Sequence, residues 1–160
     1  MKNIDINTLI RDNVKAMKPY SSARDEFKNM DADLVFLDAN ESPFNTGFNR
    51  YPDPQQVNVK AILADQKGVK PNQILLGNGS DEVLDLLFRA FCEPNKDNVI
   101  AISPTYGMYQ VLANLNAITY KKSLLESETF NLDISDILSK IDTATKMIFL
   151  CSPNNPTGQV

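Results

Sequence analysis

Apolar positions recur with different rhythms on either side of residue 73. Upstream they are sparse. Ile6, Leu9, Ile10, Val14 and Met17 fall on one face of a helix over residues 5–17, with Asn7 or Thr8 placed to cap it and Lys18-Pro19 to close it. Leu34-Val-Phe-Leu37 predicts a strand, and turn formers crowd Asn40 to Gly47. Residues 54–67 predict a second helix, periodic in Val57, Ala61, Ile62 and Ala64, that stops at Gly68.

Downstream the pattern becomes regular. Short apolar runs predict strands at Gln73–Leu76, Asn98–Ile102, Ile118–Tyr120 and Lys146–Leu150. Helices of about ten residues are expected between them, over Asp81–Cys92, Tyr106–Leu115 and Leu132–Ile141. The helix from Asp81 is apolar nearly all round and is expected to be deeply buried. Strands alternating with helices indicate an α/β architecture with a mainly parallel sheet.

Composition narrows the chemistry. The 160 residues are 42% apolar, enough for a real core, and 16 basic against 20 acidic residues leave a net charge of -4. No basic cluster suggests a nucleic-acid partner; Lys121-Lys122 read as solvated surface. No stretch reaches the 18 apolar residues or so that a membrane span needs, and the N-terminus has no secretory pattern. A cytoplasmic protein is expected. Cys92 and Cys151 read as two buried thiols rather than a disulfide or metal site. Histidine is absent. That excludes Ser-His-Asp and Cys-His hydrolases within this chain and leaves proton transfer to Lys, Tyr, Asp, Glu or a cofactor.

Three loops follow predicted strands. Gly77-Asn-Gly-Ser-Asp-Glu82 opens a helix, whose free N–H groups suit an anion, with Ser80 able to cap the helix or to meet a phosphate. Taken alone such a loop is more often a plain capping turn, a reading Asp81 and Glu82 favour because they complement the dipole. They would also repel a dianion unless their side chains point away. Ser103-Pro-Thr-Tyr-Gly-Met-Tyr109 offers Tyr106 or Tyr109 either to a planar ring or to the core. Pro153-Asn-Asn-Pro-Thr-Gly158 is either a rigid turn or a source of neutral amides for a hydroxyl or carbonyl. Strand ends on one edge of a parallel sheet are where such folds bind ligands, so the convergence of the three says more than any one.

Together with Leu37-Asp-Ala-Asn-Glu-Ser-Pro-Phe44 and Arg50-Tyr-Pro-Asp53, these segments resemble the class I/II pyridoxal-phosphate aminotransferases, and in detail the histidinol-phosphate subfamily, from about Pro19 onward. The resemblance implies the fold type I, aspartate aminotransferase-like three-layer α/β/α domain. Residues 1–33 would form an N-terminal arm and the start of a small domain, and 34–160 an incomplete large cofactor-binding domain. It implies pyridoxal 5'-phosphate held at its phosphate by Gly79, Ser80 and Asp81, under the ring of Tyr106, with Asn155 on the 3-hydroxyl oxygen. Tyr51 would reach the phosphate in the neighbouring subunit of a homodimer, and Tyr20, Asn40 and Glu41 would lie near substrate. The implied reaction is Schiff-base transamination of histidinol phosphate with 2-oxoglutarate, giving imidazole-acetol phosphate and glutamate. A threonine-phosphate decarboxylase, another fold type I aminotransferase, or a cofactor-binding regulatory relative are the alternatives.

The family's Schiff-base lysine, pyridine-nitrogen aspartate and substrate arginines all fall after Pro-Thr-Gly, beyond Val160. Ser139-Lys140 lies inside a predicted helix and is no substitute. The 160-residue chain is therefore expected to lack transaminase activity by itself. Borohydride reduction giving one specific lysyl–cofactor adduct would overturn this.

Overall fold

The computed structural model describes residues 5–21, 37 and 39–160. Nearly all of the strand expected at Leu34–Leu37 lies outside them. The chain divides into two units, one of Met1–Met17 with Leu76–Val160 and the other of Lys18–Leu75.

The first unit is built on a three-stranded parallel sheet in the order β2-β1-β3, with β1 at Asn98–Ser103, β2 at Thr119–Leu124 and β3 at Thr145–Phe149. Asn98 to Ile102 are all buried, as a central parallel strand covered on both faces requires. Alternation sends Val99 and Ala101 to one face and Ile100 and Ile102 to the other. On the first face they meet Phe88, Cys92, Tyr109, Leu112, Ala113, Ile118 and Phe149; on the second, Leu125 and Ile137.

The helices divide between those faces. Along the chain, α1 is the single turn Asp12–Lys15, α2 is Val57–Lys67, α3 is Ser80–Phe91, α4 is Met108–Leu115 and α5 is Ile134–Ser139. The crossover from β1 to β2 runs through α4 on the first face, and that from β2 to β3 runs through α5 on the second. Consecutive connections thus leave on opposite sides, which opens a crevice between the carboxyl ends of β1 and β3, the ligand position of open parallel sheets.

The expected α/β architecture is present, with four local differences and a fifth at the start of α2. Residues 5–17 do not form one helix: a 3-10 turn at Ile6–Thr8 is separated from α1 by extended Arg11 (φ -58°, ψ 141°). Arg11 is held by tertiary bonds. Its N–H donates to the Ala90 carbonyl at 2.9 Å, and its guanidinium reaches the Arg89 carbonyl at 2.9 Å and Glu93 at 3.0 Å. These bonds satisfy the carbonyl end of α3 better than continued helix would. The strand expected at Gln73–Leu76 is a 3-10 turn at Pro71–Gln73 followed by extended backbone with no ladder partner among the described residues.

Third, α3 is one-sided rather than buried all round. Phe88 is fully buried and Leu84 packs on the core, while Leu86 is 45% exposed. Fourth, Lys121 is not simply solvated. Its Nζ donates to Asp142 Oδ2 at 2.7 Å and to the Lys140 carbonyl at 2.9 Å. Asp142 also accepts from Asn98 Nδ2 and the Ala144 N–H, both at 2.9 Å, so one carboxylate ties together the amino-terminal ends of all three strands.

These donors hold the Asp142 carboxyl well below the usual range, Lys121 first among them. A depressed folded pKa contributes stability above the unfolded value and loses it as pH falls through and below that value, from about pH 4 downward. Asp142→Asn should therefore lower the melting temperature at neutral pH and flatten its decline in acid. Melting curves that stay parallel to wild type between about pH 6 and 2.5 would count against it.

In the second unit, Asp53 starts α2 from outside: its carboxylate accepts the N–H of Gln55 and Val57, both at 2.8 Å. This moves the helix start from the expected residue 54 to Val57. Gly68 ends it in the left-handed conformation (φ +64°), as the sequence implies.

Candidate active site

At the carboxyl edge of the sheet, the loops after β1 and β3 meet the start of α3. They enclose a cleft of about 550 Å³ lined by Ser80, Val83, Leu84, Tyr106, Tyr109, Cys151 and Asn155. Ser80, Tyr106 and Asn155, expected from three separate motifs, are thus brought to one place. Gly79 and Asp81 adjoin it on the α3 start.

That start carries no side-chain cap. Gly79, its N-cap, sits at φ +83° and ψ 172°, a conformation essentially reserved for glycine, which turns the chain so that Ser80 and the following N–H groups begin the helix. The neighbouring carboxylates are both drawn elsewhere. Glu82 folds back to accept the Asn78 backbone N–H and, at 3.1 Å, Asn78 Nδ2. Asp81 accepts the Tyr106 hydroxyl at 3.0 and 3.2 Å. The first-turn amides and the positive end of a twelve-residue helix are left to an anion. The repulsion the sequence raised is answered by where the two side chains point.

Tyr106 is fixed at both ends. Its ring stands edge-on to Tyr109 (centroids 5.8 Å, 86°), which stacks on Phe149 (4.8 Å), which stacks on Phe88 (5.3 Å). An aromatic column runs from the core to the cleft: Tyr109 is a buried core ring that also forms part of the cleft wall, and half-buried Tyr106 ends the column in the cleft. The Asp81 bond, followed by burial, raises the Tyr106 hydroxyl above its ordinary pKa. Burial, then a hydrogen bond with Cys151, pushes Tyr109 up to about 12. Both phenols stay protonated at neutral pH. The two cysteines are unpaired; Cys92 is buried as expected, but Cys151 is only half-buried and lines the cleft.

The two adjacent amides have opposite tasks. Asn154 is buried: its Oδ1 accepts from Thr105 Oγ1 at 2.7 Å, and its Nδ2 donates to the Pro104 carbonyl at 3.0 Å and Thr157 Oγ1 at 2.9 Å. It locks the loop after β3 onto the loop after β1. Asn155 is exposed at the cleft. Peptide bonds preceding Pro104, Pro153 and Pro156 are cis. Lys140, the residue of the Ser-Lys pair, pairs with Asp136 and lies at the end of α5.

Tyr20, Asn40, Glu41 and Tyr51 belong to the second unit. Tyr20 is 92% and Tyr51 65% exposed. Glu41 is the inward one: its carboxylate accepts from Arg50 Nη1 at 2.7 Å and from the Tyr51 N–H at 2.9 Å, bracing the Arg-Tyr-Pro turn. The Asp81–Tyr106 bond and the Cys151, Val83 and Leu84 walls were not expected from sequence, which left Tyr109 open between the core and a ligand ring. Only the i, i+3 and i, i+4 spacing of residues 80, 83 and 84 hinted that one helix face is shared with the cleft.

Residues 28–160 match the family described as aminotransferase class I and II. The chain belongs to that family. It is 65% identical over 159 residues to a histidinol-phosphate aminotransferase of Flavobacterium johnsoniae, and 58% identical over 153 residues to that of Bacteroides thetaiotaomicron. These alignments take in 99% and 96% of this chain but 45% and 44% of the relatives, so the chain spans just under half their length. The crystal structure of histidinol-phosphate aminotransferase from Clostridium acetobutylicum superposes with a TM-score of 0.58 at 27% identity, over 69% of this chain and 31% of that one. The Sinorhizobium meliloti enzyme, solved in complex with pyridoxal-5'-phosphate, shares the fold (TM-score 0.59, 22% identity, 68% and 29% coverage). Among the described residues, no helix is long and apolar enough to cross a membrane.

Proposed function

We propose that the protein carrying this chain is a cytoplasmic, pyridoxal-phosphate-dependent transaminase that exchanges the amino group of histidinol phosphate with 2-oxoglutarate. The observation that carries the reading is the meeting of Ser80, Tyr106 and Asn155 in one cleft at the uncapped start of α3. High identity to histidinol-phosphate aminotransferases supports the choice of substrate. Unpaired cysteines suit a reducing compartment.

The residues present fit the cofactor. The amides of Gly79, Ser80 and Asp81 and the Ser80 hydroxyl would hold its phosphate, as helix starts hold anions. Tyr106 would cover its ring, and Asn155 would donate its amide to the 3-hydroxyl oxygen. Bound there, pyridoxal phosphate supplies an electron sink for the carbanion formed at the amine-bearing carbon. The chain's own part is binding and orientation: Val83, Leu84 and Tyr109 exclude water from one wall, and Asn154 sets where Asn155 points. In a homodimer, exposed Tyr51 would serve the neighbouring site, with Glu41 and Arg50 bracing its turn, and Tyr20 and Asn40 would approach substrate.

The test is turnover by the whole protein, supplied with pyridoxal phosphate, of histidinol phosphate against threonine phosphate. Glutamate formation with the first only is expected. Carbon dioxide release from threonine phosphate would replace this reading with the decarboxylase one.

A further inference from the structure

The start of α3 carries two acidic residues at a place read as an anion site, and the destination of one of them has a consequence for the ring beside it. Asp81 accepts the Tyr106 hydroxyl with both carboxylate oxygens, at 3.0 and 3.2 Å. Tyr106 is otherwise placed by its backbone in the loop after β1 and by apolar packing against the core, including edge contact with Tyr109 at 5.8 Å and 86°. That packing is non-directional, whereas a hydrogen bond at the hydroxyl is directional. A half-buried aromatic at the mouth of a cleft retains rotamer freedom that must be lost when a ligand stacks on it. Anchoring the far end of the ring removes that freedom beforehand.

We propose that the Asp81 side chain is a positioning group for Tyr106, holding its ring in place over the cleft through the phenolic hydroxyl while the Asp81 backbone serves the anion site. The proposal rests on reading the cleft as the cofactor site. It assigns one residue two separable tasks, one for the amide and one for the carboxylate. The hydroxyl is raised in pKa by this bond, which is the spectroscopic mark of the contact.

What Asp81 supplies is an acceptor, and an amide oxygen also accepts. Asp81→Asn in the whole protein should therefore bind pyridoxal phosphate about as well as wild type. Asp81→Ala and Tyr106→Phe should each weaken binding roughly tenfold, as loss of one hydrogen bond would. The double variant should be no weaker than either single one, because both remove the same bond. The probe is pyridoxal phosphate itself, titrated by absorbance. A second readout needs no cofactor: with carbon-13-labelled tyrosine, the ring signal lost in Tyr106→Phe should titrate at lower pH in Asp81→Ala.

Asparagine as damaging as alanine, multiplicative effects in the double variant, or an unmoved Tyr106 titration would each overturn the proposal. Should Asp81→Ala fail to fold, the Asn and Phe variants still decide it. Wild-type binding by Tyr106→Ala would instead overturn the cofactor reading of the cleft. Weak binding by Tyr106→Ala with normal binding by both Tyr106→Phe and Asp81→Ala would overturn only the positioning role.

Discussion

Phe88→Ala is expected to destabilise the protein by about 3–5 kcal/mol, the range for deleting a fully buried phenylalanine. Phe88 has no solvent exposure, is the largest fully buried side chain among the described residues, and stacks on Phe149 at 5.3 Å and 26°. Its ring fills the junction between α3 and the sheet, where Cys92, Val99 and Ala101 also pack. Small, stiff neighbours of that kind cannot swing in to fill the space, so the cavity contribution adds to the lost transfer energy. The same ring is the inner end of the aromatic column that ends at Tyr106, so its loss should also loosen the cleft wall. Denaturant unfolding of the whole protein should show a lower midpoint with an unchanged slope. Leu86→Ala is the internal control. It sits on the same helix but 45% exposed, and should cost under about 1 kcal/mol. Equal losses from the two substitutions would mean that α3 does not dock by the face described.

How much of this was legible beforehand depended on whether the deciding partner was near in sequence. The central strand was legible because Asn98 to Ile102 is a short β-rich run, and a strand covered on both faces needs nothing more. The stop at Gly68 was legible because a left-handed cap depends on one residue. The break at Arg11 was not, since its partners are Arg89, Ala90 and Glu93, some eighty positions away. Residues 74–76 read as a strand because a sequence shows apolar content but not whether a ladder partner stands beside it. The membership of the cleft was legible through three loop motifs, two of them at strand ends and one at the start of α3. The division of labour within each motif was not. Which of Asn154 and Asn155 turns inward, and where the Asp81 carboxylate goes, is settled by contacts to Pro104, Thr105 and Tyr106 in another loop.

That division gives the second large expectation, a split between two adjacent asparagines. Asn154→Ala should destabilise the protein by about 1–3 kcal/mol, because the loss leaves the Pro104 carbonyl and the Thr105 and Thr157 hydroxyls without the buried amide that joins them. Asn155→Ala touches an exposed side chain, and its stability should stay within about 0.5 kcal/mol of wild type. Turnover should respond in the opposite order of directness. Without Asn155 a positioned donor to developing charge is gone, which lowers the rate on the order of a hundredfold. Without Asn154 the donor remains but its loop is no longer locked to the one bearing Tyr106, and a displacement of about 1 Å is enough for a comparable loss. Thermal melts and single-turnover rates on the two variants separate these causes. Both should be slow, and only Asn154→Ala should melt early. An Asn155→Ala protein that turns over normally would remove Asn155 from the site, and one that melts as early as Asn154→Ala would show that the two amides share a structural task.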